Sequence, residues 1–141
     1  MQILFVNLVR NLLTALLFGL AVFGFSTAVK AETIANPVAV FAGLDKITGR
    51  IITFDVYIDE TVQFGALQIT PKACYTRPAN ETQKTTTFVE VDQVSLKQTV
   101  TRIFVGWMFA DSPALNAIDH AVYDIWLVDC KQTSDVPPPS S

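Results

Sequence analysis

Beyond residue 50, apolar and polar residues alternate with a period of two over several stretches, the spacing of strands with one buried face. Thr53 to Ile58 is the clearest case: Phe54, Val56 and Ile58 share one face, and Thr53, Asp55 and Tyr57 the other. Asp59-Glu60 makes a tight connection into Val62, Phe64 and Ala66, after which the apolar positions slip in parity to Leu67 and Ile69. A bulge at Gly65-Ala66 accounts for the slip, because one extra residue turns later side chains to the opposite face. Ala73 to Thr76 and Phe88 to Val91 are further strand candidates.

Two later segments carry apolar residues on both faces. In Arg102 to Phe109, Ile103, Val105, Trp107 and Phe109 oppose Phe104 and Met108; in Val122 to Cys130, Val122, Trp126 and Val128 oppose Tyr123, Ile125 and Leu127. Such a pattern predicts central strands covered on two sides, or strands whose second face meets a partner. Between them, Ser112 suits a helix N-cap and Pro113 the first helical position, so one short helical turn is expected there. The expected fold is mainly β, an antiparallel β sandwich or small barrel with that one turn.

The first 31 residues follow a different rule. Arg10 supplies a positive charge, Leu12 to Phe25 form an apolar run, and Val29 and Ala31 stand where a signal peptidase needs compact side chains. Residues 1–31 therefore read as a cleaved secretory signal peptide. The uninterrupted run is shorter than the roughly 20 apolar residues of a membrane-spanning helix. An uncleaved anchor is the alternative, since the run extends back to Ile3 across Asn7, Arg10 and Asn11. Cleavage sends the remainder to the periplasm with no stable membrane insertion.

Residues 32–39 then form a leader containing Asn36-Pro37, residues 40–131 the β domain, and residues 132–141 a disordered Pro/Ser tail ending Pro137-Pro138-Pro139-Ser140-Ser141. Pro78 to Thr87 is polar and reads as a long exposed loop. Of the 10 Lys and Arg, two (Arg10 and Lys30) precede residue 32, while all 13 acids stand at Glu32 or beyond, so the exported part carries about −5. That balance excludes a polybasic face, and with it nucleic acid and anionic membrane surfaces as partners.

Export also changes how the cysteines are read. Cys74 and Cys130, far apart in sequence and both beside apolar segments, are expected to pair in an oxidising compartment. The bridge would remove unfolded-state entropy worth about 4 kcal/mol in the chain-entropy account. No Cys-x-x-Cys is present to suggest a redox thiol.

Polar groups able to act concentrate between Asp111 and Asp124: Asp111, Ser112, Asn116, Asp119, His120 and Asp124. One histidine with scattered carboxylates falls short of a metal site, so no metal or cofactor is expected. His120 is expected to close the helical turn by hydrogen-bonding a terminal carbonyl. A serine hydrolase would need Ser112 activated by His120, but there is no Gly-x-Ser-x-Gly elbow and Ser112 is explained as a cap. Paired carboxylates of a glycosidase cannot be located by spacing alone. Trp107 and Trp126 are either core or an exposed platform for a sugar ring or a protein hot spot.

Several ordered motifs carry a resemblance. Leu44-Asp45-Lys46-Ile47-Thr48-Gly49-Arg50, Phe64-Gly65-Ala66-Leu67, Cys74-Tyr75 and Gly106-Trp107-Met108-Phe109 lead to Leu115-Asn116-Ala117, His120, Tyr123-Asp124-Ile125-Trp126-Leu127 and Cys130. From about Val40 to Lys131 the chain resembles the exported alphaproteobacterial "domain of unknown function 2155" family. The resemblance implies an envelope location and brings no activity, cofactor or catalytic residue with it. The family pattern has a proline after the histidine, where Ala121 stands here.

Two functions fit these observations. The first is a non-catalytic periplasmic domain that binds an envelope protein through strand edges or the tryptophan-bearing surface. The second is a glycan or small-ligand binding domain, with weak hydrolase activity at most, built on Trp107, Asp111, Asn116, Asp119, His120, Asp124 and Trp126. A concave pocket joining His120, two acids and an exposed tryptophan favours the second. Dispersal of those residues around an apolar patch favours the first.

Overall fold

A computed structural model describes residues 1–20, 28, 30–116, 118 and 120–139. The chain divides into two compact units, Met1–Lys30 and Ala31–Ser141. Among its described residues the first contains one helix, α1 (Gln2–Leu20). Residues 21–27 and 29 of the expected signal segment lie outside the described residues. No described helix is long and apolar enough to cross a membrane.

Among its described residues the second unit has eight strands: β1 (Ile34–Ala35), β2 (Val38–Asp45), β3 (Arg50–Tyr57), β4 (Val62–Phe64), β5 (Leu67–Thr76), β6 (Thr86–Val94), β7 (Val100–Phe109) and β8 (Tyr123–Lys131). One sheet runs β1-β5-β6-β7, with β4 also on β5; the other runs β3-β2-β8. All pairings are antiparallel. The sheets are not closed into a barrel, so the fold is a mainly β sandwich. Their facing sides share one core, with Phe41, Val56, Ile125 and Leu127 from the three-stranded sheet and Leu67, Ile69, Val89, Val91 and Met108 from the other.

Cys74 on β5 and Cys130 on β8 join the two sheets as a disulfide, with their Cα atoms 5.8 Å apart. The last strand reaches this register through an irregularity. Leu127 pairs with Phe41 and Asp129 with Val40, so Val128 is the extra residue and Cys130 can turn inward like Leu127.

The strand buried most completely is β2, whose positions Val38 to Gly43 are all buried. Its unbroken run Val38-Ala39-Val40-Phe41-Ala42 has no alternation because both faces are covered. Conversely, β7 and β8, expected to be central, are edge strands. Apolar residues on two faces record what lies above and below a strand; they carry no information about its hydrogen-bonded neighbours in the sheet plane.

The parity change at Gly65-Ala66 is a chain reversal rather than a bulge. Phe64 pairs with Leu67 across a two-residue hairpin, which puts Val62, Phe64, Leu67 and Ile69 on the same side. Gly65 takes the left-handed backbone such a turn needs, φ 57°. A second glycine is required by packing: a Cβ on Gly43 would stand 2.7 Å from the Phe64 ring.

The segment read as a leader takes part in the sheet. Ile34 and Ala35 pair with Thr76 and Tyr75. Buried Asn36 donates to Thr76 Oγ1 (3.0 Å) and to Ile34 O (3.1 Å), and its Oδ1 accepts from Gln132 Nε2 (2.7 Å). After β8 the chain returns to β3, where Ser134 Oγ donates to Asp55 Oδ2 and Tyr57 Oη to Val136 O (2.7 Å). Asp55 and Tyr57 pair with Val40 and Val38, so these contacts lie on the outer face of the three-stranded sheet. The helical turn after β7 amounts to one hydrogen bond, Leu115 N to Ser112 O at 2.9 Å, and stops at Asn116 with φ 57°.

Candidate binding site

The polar residues between Asp111 and Asp124 serve mainly to fasten loops. Lys46 forms an ion pair with Asp124 (2.8 Å) and donates to His120 O (2.9 Å), while its backbone N–H donates to Val122 O (2.8 Å). The β2–β3 hairpin is thereby tied to the start of β8. His120 Nδ1 accepts hydrogen bonds from Val122 N (3.1 Å) and Tyr123 N (3.2 Å), and its ring stacks on Tyr123. It caps the following backbone amides, where the sequence suggested a bond to a preceding carbonyl. Asn116 Nδ2 donates to Trp107 O (2.8 Å), covering one carbonyl of the edge strand β7. Asp111 is exposed, and Asp119 lies outside the described residues.

The two tryptophans part company. Trp126 pairs with Ala42 and is half-buried, lining a seam with Met108, Pro113 and Leu115 that admits no water molecule. Trp107 remains 39% exposed on the outer face of the larger sheet. Around it the outward side chains form an aromatic surface. Tyr75 stacks on Trp107 with centroids 6.0 Å apart and planes at 29°, and Phe88 meets the indole edge-on at 5.3 Å. Phe109 completes the surface one row further on. Tyr75, Thr86 and Phe109 are in register across β5, β6 and β7, so the row crosses the strands.

Over this surface opens a groove of about 540 Å³, walled on one side by Arg77 and Lys84 at the ends of the β5–β6 loop. Sequence reasoning identified Trp107 but missed Tyr75, Arg77, Lys84 and Phe109. The available signal was Cys74-Tyr75: an inward cysteine makes its neighbour face outward.

Towards its N-terminal end, β7 has a different character. Val100 (56% exposed), Ile103 (36%) and Val105 (51%) are open to solvent on a strand that, among the described residues, pairs only with β6. The hairpin tip adds Leu96, fully exposed. Ile103 is the extra residue of an irregularity, since Val91 pairs with Phe104 and Asp92 with Arg102. Arg102 forks onto Asp92 (2.8 Å) and reaches Glu90 (3.1 Å); its hydrogen bonds to the Asp92 carboxylate raise the guanidinium pKa above its ordinary value.

One carboxylate is held ionised on the opposite sheet. Burial alone would raise the Asp55 pKa, but hydrogen bonds from Lys131 and Ser134, together with the Lys131 charge, outweigh it and place the pKa below the ordinary carboxylate value. The Lys131 ammonium, 2.7 Å from Asp55, has its pKa raised, chiefly by that hydrogen bond. Among the described residues, no three His, Cys, Asp or Glu side chains gather as metal ligands.

Comparison with protein-family models gives a match over residues 39–130 to the family described as an uncharacterised protein conserved in bacteria, DUF2155. The chain belongs to that family. No curated protein and no solved structure matches it. The DUF2155 region starts within β2 and ends at Cys130, so it includes both bridging cysteines, all of β7 and the residues lining the aromatic groove except Thr33. Asn36, Gln132 and the segment returning to Asp55 lie outside it.

Proposed function

We propose that this DUF2155 domain is an exported, non-catalytic binding module that docks an envelope protein on the free edge of β7. The observation that carries this reading is a ten-residue edge strand with Val100, Ile103 and Val105 exposed. Unpaired backbone groups beside exposed apolar side chains form a template for an added strand, and proteins ordinarily blunt such edges with charge, proline or a covering loop. Among the described residues the blunting on β7 is confined to charged Arg102, the register irregularity at Ile103 and Asn116 at the Trp107 carbonyl, which leaves the stretch around Val105 open. The alternative, a glycan or small-ligand site with weak hydrolase activity between Asp111 and Trp126, has less support. Asn116, His120 and Asp124 are engaged with backbone or with Lys46, and Trp126 lines a closed seam.

Export rests on residues 1–31, with cleavage after Ala31 delivering a periplasmic protein that begins at Glu32. The inter-sheet disulfide is consistent with an oxidising compartment. Intact mass of the exported form should equal residues 32–141 less two protons; retention of residues 1–31 would replace the soluble reading with an anchored one.

The docking claim is tested by placing a photo-cross-linking residue at Val105 in the tagged, exported protein, with the same group at exposed Thr82 as control. A single protein adduct from position 105 that disappears in Ile103→Lys supports the reading. Equal adducts from both positions, or none from position 105, overturn it.

A further inference from the structure

The groove beside Trp107 poses a question separate from the strand edge. It crosses β5, β6 and β7 along the row Tyr75, Thr86, Phe109, whereas an added strand would run parallel to β7. A docked partner strand would therefore leave it unfilled. We infer that this groove is a binding site for an acidic saccharide, a pyranose polymer bearing carboxylates.

Three observations select that chemistry. The floor is aromatic and already oriented: Trp107 is fixed by Tyr75 on its face and Phe88 at its edge, yet remains 39% exposed. The exposed part of this preorganised aromatic cluster offers the C–H face of a sugar ring an apolar contact that loses little entropy on binding. The wall is cationic in an acidic protein. The chain carries 13 acids against 10 Lys and Arg, yet Arg77 and Lys84 line the groove and no carboxylate does among the described residues. Glu81 engages Arg77 at 3.5 Å, whereas Lys84 has no anionic partner among the described residues. Thr33 and Thr86 also line the groove and carry the neutral hydroxyls that a polyhydroxylated ligand needs, whereas the Thr76 hydroxyl is engaged by Asn36.

Size and shape agree. A volume of about 540 Å³ falls in the range of ligand sites. The groove is open to solvent rather than enclosed, so a compact apolar molecule would stay largely wet while a chain of sugar units could pass through it. The cations face what the aromatic floor cannot select, the charge of the ring substituent. The ligand class is thus set by two independent walls, one reading the ring and the other its carboxylate.

The experiment is isothermal titration of the exported protein with tetragalacturonate, with neutral cellotetraose and with an acidic tetrapeptide, Glu-Glu-Tyr-Glu. Tetragalacturonate should bind and weaken with added salt, and cellotetraose should bind at least about tenfold more weakly. Lys84→Glu and Trp107→Ala should each reduce tetragalacturonate affinity by about tenfold or more. Lys84 lies in an exposed loop, so K84E tests the site even where loss of the indole disturbs the fold. Absence of tetragalacturonate binding, or binding unchanged by K84E, overturns the site. Equal affinity for cellotetraose overturns the charge selection, and tighter binding of the peptide overturns the saccharide class. None of these outcomes depends on whether β7 cross-links to a protein.

Discussion

The phenol ring of Tyr123 occupies the space where a Cβ on Gly65 would stand. The contact joins the β4–β5 turn to the start of β8, and Tyr123 is packed in turn against Phe64 and His120. Gly65 is thus constrained twice, by its φ of 57° and by the ring above it. Gly65→Ala should lower stability by more than the roughly 1–2 kcal/mol of a left-handed alanine alone. Combining it with Tyr123→Ala should give a non-additive cycle, because the second change removes the clash but leaves the backbone strain. Urea unfolding of the four proteins measures this; simple additivity would show that ring and turn are independent.

Asn36 supplies hydrogen bonds that no neighbouring side chain can replace. Asn36→Ala strips partners from Thr76 and Gln132 and from the Ile34 carbonyl. The bonds lost are part-buried and Gln132 keeps its bond to Ala35 O, so a loss of about 1 kcal/mol is expected. Denaturant titration should show it, and a wild-type midpoint would mean that the residues before β2 contribute nothing to the fold.

The Cys74–Cys130 bridge should account for a large share of the stability of a domain this small. Replacing both cysteines with serine should cost about 2–5 kcal/mol. Alkylation of the folded protein without reductant should label neither thiol. Labelling at Cys74 or Cys130 would show that the pair is open.

Acid should loosen the outer face of the three-stranded sheet. Because the folded Asp55 carboxyl has a lowered pKa, the unfolded chain binds its proton more readily. The stabilisation is present above the ordinary value of 3.8 and is lost as pH falls through the lower folded pKa. Lys131, with a raised pKa, contributes in the opposite sense, its share persisting below 10.5 and disappearing as pH rises through the folded value. Asp55→Asn should therefore flatten the acid limb of a stability–pH profile. An unchanged profile would assign the acid sensitivity to other carboxylates.

Several features were legible from local pattern. The alternation in Thr53 to Ile58 identified the inward face of β3, since Phe54 and Val56 do pack in the core. Paired cysteines in two apolar segments pointed to the bridge, and the doubly apolar character read for Arg102 to Phe109 was real. Other features could not be read this way. The run Val38 to Gly43 lacks alternation and so gave no strand signal, although it is the centre of the smaller sheet. His120 and Asp124 looked like chemistry by residue type, but Lys46, contributed by a distant hairpin, makes them a fastening.

By itself the sequence determined the β character of the chain, which faces of its strands turn inward, and the two cysteines able to meet. Those properties follow from side chains alternating along a single strand, a relation among residues close in sequence. Tertiary structure alone decided which strands became edges, because sheet position depends on hydrogen bonds to strands far away in the chain. It also decided that Trp126 would close a seam while Trp107 stayed open. The groove exists only because Tyr75, Lys84 and Trp107 come from three separate places in the chain and are brought to one surface by antiparallel register.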